Sequence, residues 1–324
     1  MAKEGTNPDR PMGLQERVYA LFEQQLRGWE LASGNYAGLK QVHQRFLTLG
    51  RGVVIGVQHN PWRITSSAAR VDQKSVSERK CFLCPAHLPP QQRGVSFGAD
   101  YLILVNPFPI FTRHLTIPLR EHLPQRIAGR MAPMLALARE LDDFVVFYNG
   151  PGCGASAPDH FHFQAGNKGF LPIGKELDIL PKSLLRESGG NTIWSPRGYG
   201  RPCLVLEGAD DRALCRTFED LLALLPHGGA RQEEPMLNVL AWEHKEILRV
   251  AVFPRRAHRP WQFYAEGDDR ILLSPASVDM GGMFIIPREQ DFPRIGREVV
   301  KDVFEQVCPA QADIDRIIRA VGSR

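Results

Sequence analysis

The stretch ASAPDHFHFQAG, residues 155–166, places His160, His162 and Gln164 on alternate positions with Phe161 and Phe163 between them. A β-strand turns successive side chains to opposite faces. Read as a strand, it sends both phenylalanines into a core and aims both imidazoles and the amide at one common space. The preceding loop, NGPGCGASA, has glycines at 150, 152 and 154 and a serine at 156. Such loops turn backbone N–H groups inward and cradle anionic oxygens. Loop and strand together suggest a phosphate held in front of a histidine nucleophile. A lone strand histidine is ordinarily a satisfied core or surface residue, and a pair at this spacing also suits a structural metal site. Gln164 and the loop favour the phosphate reading.

The whole chain sets the frame. It has 324 residues, 43% hydrophobic, with a formal charge of +4, enough to bury one large or two modest domains. The basic residues form no single long run, so a nucleic acid polymer is not expected as partner, whereas small phosphorylated ligands suit the mild positive charge. The opening MAKEGTNPDRP has no apolar core of a signal peptide, and no apolar run reaches the roughly 20 residues of a membrane helix. A cytoplasmic protein without membrane attachment is expected. Six cysteines in a chain this long do not make a disulfide scaffold.

Periodicity predicts an amphipathic helix over 12–32, a strand at 52–58, mostly loop over 60–96, and two strands in YLILVNPFPIF and HLTIP. A helix over 123–142 and a strand over 144–150 lead into the glycine loop. Residues 181–202, rich in Gly, Ser and Pro, read as a linker or crossover. Beyond it come a helix over 210–225, strands near 236–242, 247–253, 261–265, 270–273 and 282–286, and a C-terminal helical stretch. LTIPLREHLPQ (115–125) echoes FIIPREQDFPR (284–294), which hints at a duplication. The expected class is α+β: residues 1–180 a catalytic half, 181–202 a linker, and 203–324 a second α+β half without paired histidines.

CFLC, residues 81–84, has the C-x₂-C spacing of a zinc knuckle and needs two further ligands. A thioredoxin-like redox pair would need a helix-opening context that this segment lacks. Plain thiols are the remaining reading.

NGPGCGASAPDHFHFQ (149–164) resembles the active-site stretch of the histidine-triad superfamily, in its H-x-H-x-Q branch: galactose-1-phosphate uridylyltransferases, diadenosine tetraphosphate phosphorylases and GDP-hexose phosphorylases. NPFPIFTRHLTIP (106–118) resembles the nucleotide-binding hairpin of the same superfamily. With CFLC the resemblance covers about residues 50–170. It implies an antiparallel-sheet domain, duplicated, with a degenerate second half. It implies that His162 attacks the α-phosphorus of a nucleotide and forms a covalent nucleotidyl-histidine, and that Gln164 holds a non-bridging oxygen. It also implies a structural zinc on Cys81, Cys84, His114 and His160; His87, just after the cysteine pair, is an alternative ligand by its position. Metal on His160 would fix the aim of His162. One departure is visible: the stretch from Ser156 to His160 is one residue longer than in the uridylyltransferases.

Arg63, Ser66 and Ser67 in NPWRITSSAARVD are candidate phosphate or ribose contacts. Asn106 and Phe108 match hairpin positions that line the base and ribose pocket. Asn149, Gly154 and Ser156 are candidate phosphate contacts. FPRRAHRPW (253–261) is the densest basic-aromatic cluster, and Arg255, Arg256 and His258 are candidates there. The leading expectation is a phosphorylase of a nucleotide sugar or dinucleoside polyphosphate, with orthophosphate as acceptor and a nucleoside diphosphate as product. A hexose-1-phosphate uridylyltransferase-like exchange, with sugar 1-phosphate as acceptor, is the alternative enzyme. A non-catalytic, zinc-stabilised nucleotide sensor is the alternative of another class. A homodimer is compatible with each.

Overall fold

The computed structural model describes residues 11–64, 72–226 and 234–323. The chain begins with the amphipathic helix Leu14–Gly28, which buries Val18, Leu21 and Phe22, and the helix Glu30–Gly38. Strands β1 (His43–Gly50) and β2 (Val53–His59) form a hairpin. After the cysteine segment come β3 (Gly94–Phe97), β4 (Tyr101–Val105) and β5 (His114–Pro118). The helix Met131–Glu140 follows, then β6 (Phe144–Asn149) and β7 (His162–Asn167). The second series is β8 (Lys182–Ser188), β9 (Asn191–Pro196) and β10 (Leu204–Gly208), the helix Asp211–Leu222, then β11 (Leu237–His244) and β12 (Ile247–Pro254). Finally β13 (Met283–Ile286) and the helices Arg297–Val307 and Gln311–Gly322 complete the chain.

Ten strands form one sheet in the order β3-β4-β5-β7-β6-β11-β12-β10-β9-β8. From either edge inward, each series contributes its first, second, third, fifth and fourth strand, with its helix between the third and fourth. The fold is therefore an α+β duplication, joined where β6 pairs antiparallel with β11. The duplication corrects two expectations. Residues 181–202 are not a linker: most of them form β8 and β9, paired through a turn at Gly189 and Gly190, whose φ angles are 59° and 78°. The FIIP echo is not the repeat of β5, because β13 belongs to a separate sheet, β1-β2-β13, and runs parallel to β2. Residues 261–264 are helical, and 270–273 form no strand.

The large sheet buries both faces. Phe161, Phe163, Tyr148 and Leu115 pack on one side with the first helix. Phe147, Phe111, Val205 and Leu240 pack on the other with β13 and the helix Arg297–Val307. Register gives the second unit's counterpart of the histidine strand. Phe144 pairs with Asn167, and Leu237 with Pro254, at matching strand ends. Counting from those ends, Arg249 falls where His162 stands and Ala251 where Gln164 stands. Arg249 is tied to Glu207 at 2.6 Å and Asp178 at 2.8 Å. The second unit thus carries an ion-paired arginine at the position of His162. No helix among the described residues is long and apolar enough to cross a membrane.

Candidate active site

β5, β7 and β6 make the floor of a cavity of about 520 Å³. His162 and Gln164 point into it from β7, Thr116 stands across from Gln164 on β5, and Phe147 across from it on β6. Asn149, one step further along the same face of β6, flanks His162. Phe161 and Phe163 are fully buried in the opposite core, as the alternation predicts, but the expectation of one space for both imidazoles is corrected: β7 begins at His162, and His160 lies outside the cavity lining, beside Cys81, Cys84 and His122.

His162 is 3% exposed. Its Nδ1 lies 2.9 Å from the His160 carbonyl. A carbonyl only accepts, so Nδ1 carries the hydrogen and Nε2 the free lone pair. Burial holds its pKa down at about 4, and the imidazole is neutral at pH 7. Gln125 clamps the strand end: its Oε1 accepts the His162 N–H at 2.7 Å, and its Nε2 donates to the carbonyls of His162 and Asn149, each at 3.0 Å.

Gln164 is oriented from behind. The Ile110 N–H donates to His114 Nδ1 at 3.2 Å, so His114 carries its hydrogen on Nε2 and donates it to Gln164 Oε1 at 3.0 Å. The Gln164 amide therefore turns its N–H₂ to the cavity. His114 is fully buried and neutral, its pKa lowered to about 3 by burial and then by Arg63. Asn106 stitches the hairpin, donating to Thr116 Oγ1 at 2.8 Å and accepting the Phe108 N–H at 2.9 Å.

Arg63, Phe108, Gly154, Ser156 and His258 all line the cavity. Gly154 has φ +100°, and a Cβ there would lie 2.5 Å from that of Ala276, so only glycine lets the loop meet the second unit so closely. Burial, with Arg259 and Arg255 beside it, lowers the pKa of His258 to about 3. Ser66 and Ser67 lie outside the described residues. Two expected phosphate contacts are corrected. Arg255 is buried, and its guanidinium donates to Asn238 and to the carbonyls of Pro275, Ala257, His258 and Val307. Arg256 is exposed and donates to the Gln306 carbonyl, away from the cavity. The cations that do line it, besides Arg63, are Arg259, a member of the FPRRAHRPW cluster, and Arg79, which the sequence reading passed over. Arg79 donates to the Ser156 carbonyl at 3.2 Å and to Asp159 at 2.8 Å, with its guanidinium over the Phe82 ring.

Beside the glycine loop, ligand atoms of Cys81, Cys84, His122 and His160 lie within 4.8 Å of one another and could hold a metal ion. Cys81 Sγ and Cys84 Sγ lie 3.2 and 3.5 Å from His160 Nδ1, and Cys84 Sγ lies 3.2 Å from His122 Nδ1. Sulfur and nitrogen sharing a tetrahedral zinc are about 3.5 Å apart, so the donor set fits. His160 Nε2 donates to the Leu119 carbonyl at 2.7 Å, which leaves Nδ1 as the ligating atom. Asp159 sits 3.6 Å from His122 Nε2, the usual outer partner of a ligating imidazole. The expected ligand His114 is corrected to His122. His114 opens β5, whereas His160 bonds just beyond its far end, and four strand steps separate them by about 13 Å. His87 instead contacts the Cys81 carbonyl through Nδ1, at 2.9 Å.

A sheet built from two five-stranded units, one with a histidine pair and one without, is the architecture implied by the histidine-triad resemblance. Comparison with solved structures shows the same fold in yeast Ap4A phosphorylase Apa2, at 15% identity and a TM-score of 0.55, covering 86% of this chain and 93% of that one. The Apa2 structure in complex with AMP matches with a TM-score of 0.55, covering 88% and 96%, and that in complex with Ap4A with 0.52, covering 87% and 97%. Both are also 15% identical. A family model described as a domain of unknown function, DUF4922, matches residues 21–167. No curated protein matches the sequence.

Proposed function

We propose that the protein is a nucleotidyl-transferring phosphorylase that works through a covalent nucleotidyl-His162. The observation that carries the reading is the state of His162: buried, neutral, with Nδ1 occupied and Nε2 free, in a cavity lined by Gln164, Asn149 and three arginines. Nε2 attacks the α-phosphorus, the Nε2–P bond forms, and the bond to the β-phosphate oxygen breaks, that oxygen keeping the electron pair. Orthophosphate then attacks the same phosphorus, the Nε2–P bond breaks, and a nucleoside diphosphate leaves. The Gln164 N–H₂ meets a non-bridging oxygen whose charge grows in both steps. The fold neighbour was solved with AMP and with Ap4A, which supports a nucleotide sugar or dinucleoside polyphosphate as donor. The apolar rim of Trp29, Leu31 and Phe82 suits a base. Zinc on Cys81, Cys84, His122 and His160 would be structural, since all four positions are filled by protein.

Incubation with nucleotide sugars and dinucleoside polyphosphates plus orthophosphate, reading released nucleoside diphosphate, tests the reaction. Turnover only with a sugar 1-phosphate as acceptor would make it a uridylyltransferase-like exchange instead. Binding without turnover by any donor would leave a nucleotide sensor. Gln164→Ala is expected to lower kcat by about 10²–10³-fold, the usual effect of removing one such donor. A change in KM alone would show that Gln164 binds ground state and transition state equally.

A further inference from the structure

The second unit has lost the nucleophile, yet its residues reach the catalytic one. Asn149 Oδ1 accepts two hydrogen bonds, from Asn238 Nδ2 at 2.9 Å and from the Ser277 N–H at 2.8 Å. Both donors belong to the second unit. A flip of the Asn149 amide would set its N–H₂ against both, so its N–H₂ is held on the cavity side, beside His162. Asn238 is fully buried and has no freedom of its own. Its second amide hydrogen goes to the Cys153 carbonyl in the glycine loop at 2.8 Å, and its Oδ1 accepts Arg255 Nη1 at 2.6 Å. Arg255 spends its remaining N–H groups on the carbonyls of Pro275, Ala257, His258 and Val307. A guanidinium cannot act as an acceptor, so the direction of each bond from Arg255 to Asn238 to Asn149 is fixed.

We propose that Asn238 and Arg255 are positioning residues for the catalytic step: they hold the Asn149 amide so that its N–H₂ meets the phosphate under attack by His162. This rests on the phosphorylase reading. It gives the unit without a nucleophile a part in the chemistry, and it explains why an arginine beside the cavity is turned away from it. Asn149 acts on the substrate, and the other two act through Asn149.

The test is a double-mutant cycle on the full chain. Asn238→Asp keeps the size and the partner of Arg255 but turns an acceptor toward Asn149 Oδ1, so the Asn149 amide keeps the Ser277 N–H alone, faces a repelling oxygen and loses its fixed direction. Asn238→Asp alone and Asn149→Ala alone are each expected to lower kcat about 10²-fold, with KM within about threefold. The double variant is expected to lose about 10²-fold as well, because the second change has nothing left to disturb. Losses that multiply to about 10⁴-fold, or an Asn238→Asp protein with unchanged kcat, would overturn the proposal. If Asn238→Asp does not fold, Asn238→Ala takes its place in the same cycle. Equilibrium binding of AMP is measured on the same four proteins. Should the wild type turn over no donor, the phosphorylase reading fails while the relay is still judged. Asn238→Asp must then weaken AMP by about threefold with Asn149 present and leave it unchanged in Asn149→Ala, and no weakening with Asn149 present, or equal weakening in both, overturns the relay.

Discussion

His162→Ala is expected to take no radioactive label from an α-³²P-labelled donor and to lose at least about 10⁴-fold in kcat. Removing the attacking group of a covalent enzyme costs on the order of 10⁴–10⁶, and what remains comes from binding and oxyanion contacts. The fold should survive. Among the described residues the ring's side-chain hydrogen bond runs from Nδ1 to the His160 carbonyl, and the clamp by Gln125 holds the backbone of residue 162, which alanine keeps. The comparison with Gln164→Ala separates the two roles. That variant should still become labelled, slowly, and the label should be labile in acid and stable in base, as a phosphorus–nitrogen bond at histidine is. Label retained in His162→Ala, or full turnover, would remove the nucleophile from the mechanism.

The histidine strand was legible because two facts coincide in it: β-structure has period two, and only residues 160, 162 and 164 break an otherwise apolar run. What the sequence hid has physical causes. The candidate ligand His122 follows the hairpin in LREHLPQ and was passed over because the resemblance supplied the hairpin histidine, His114, which opens β5 at the end away from His160. Arg255 looked like a phosphate contact because a cluster of arginines reads as positive potential. Burial against five acceptors turns it instead into a structural keystone. The strand pair β8–β9 read as a linker because an edge strand such as KSLLRES is polar and half exposed, and its turn glycines are the same residues a loop would use. The duplication was expected from the resemblance, yet the residue echo offered for it fell on β13, for a related reason. The two units share strand order and register but not side chains, and where one has His162 the other has Arg249 in an ion pair.

The proposed zinc site yields the second large expectation, and it turns on the same correction. His122→Ala should drop bound zinc in freshly purified protein from about one equivalent to well below half. Losing one of four ligands weakens a structural site steeply. If that loss takes about 3 kcal/mol from the folded state, the melting temperature falls on the order of 4–5 °C for a chain of 324 residues. Turnover should fall as well, because His160 both belongs to the cluster and supplies the carbonyl that receives the His162 Nδ1–H. A loosened His160 frees the imidazole to rotate and spoils the aim of Nε2. His114→Phe should do the reverse. Among the described residues its ring bonds Ile110 and Gln164 and no cysteine, so zinc content should stay near one equivalent. Turnover should fall about as far as in Gln164→Ala, since the amide is no longer held. Metal analysis of the two variants side by side decides between the ligands. Zinc lost in His114→Phe and kept in His122→Ala would restore the hairpin histidine to the cluster and contradict the geometry around Cys84.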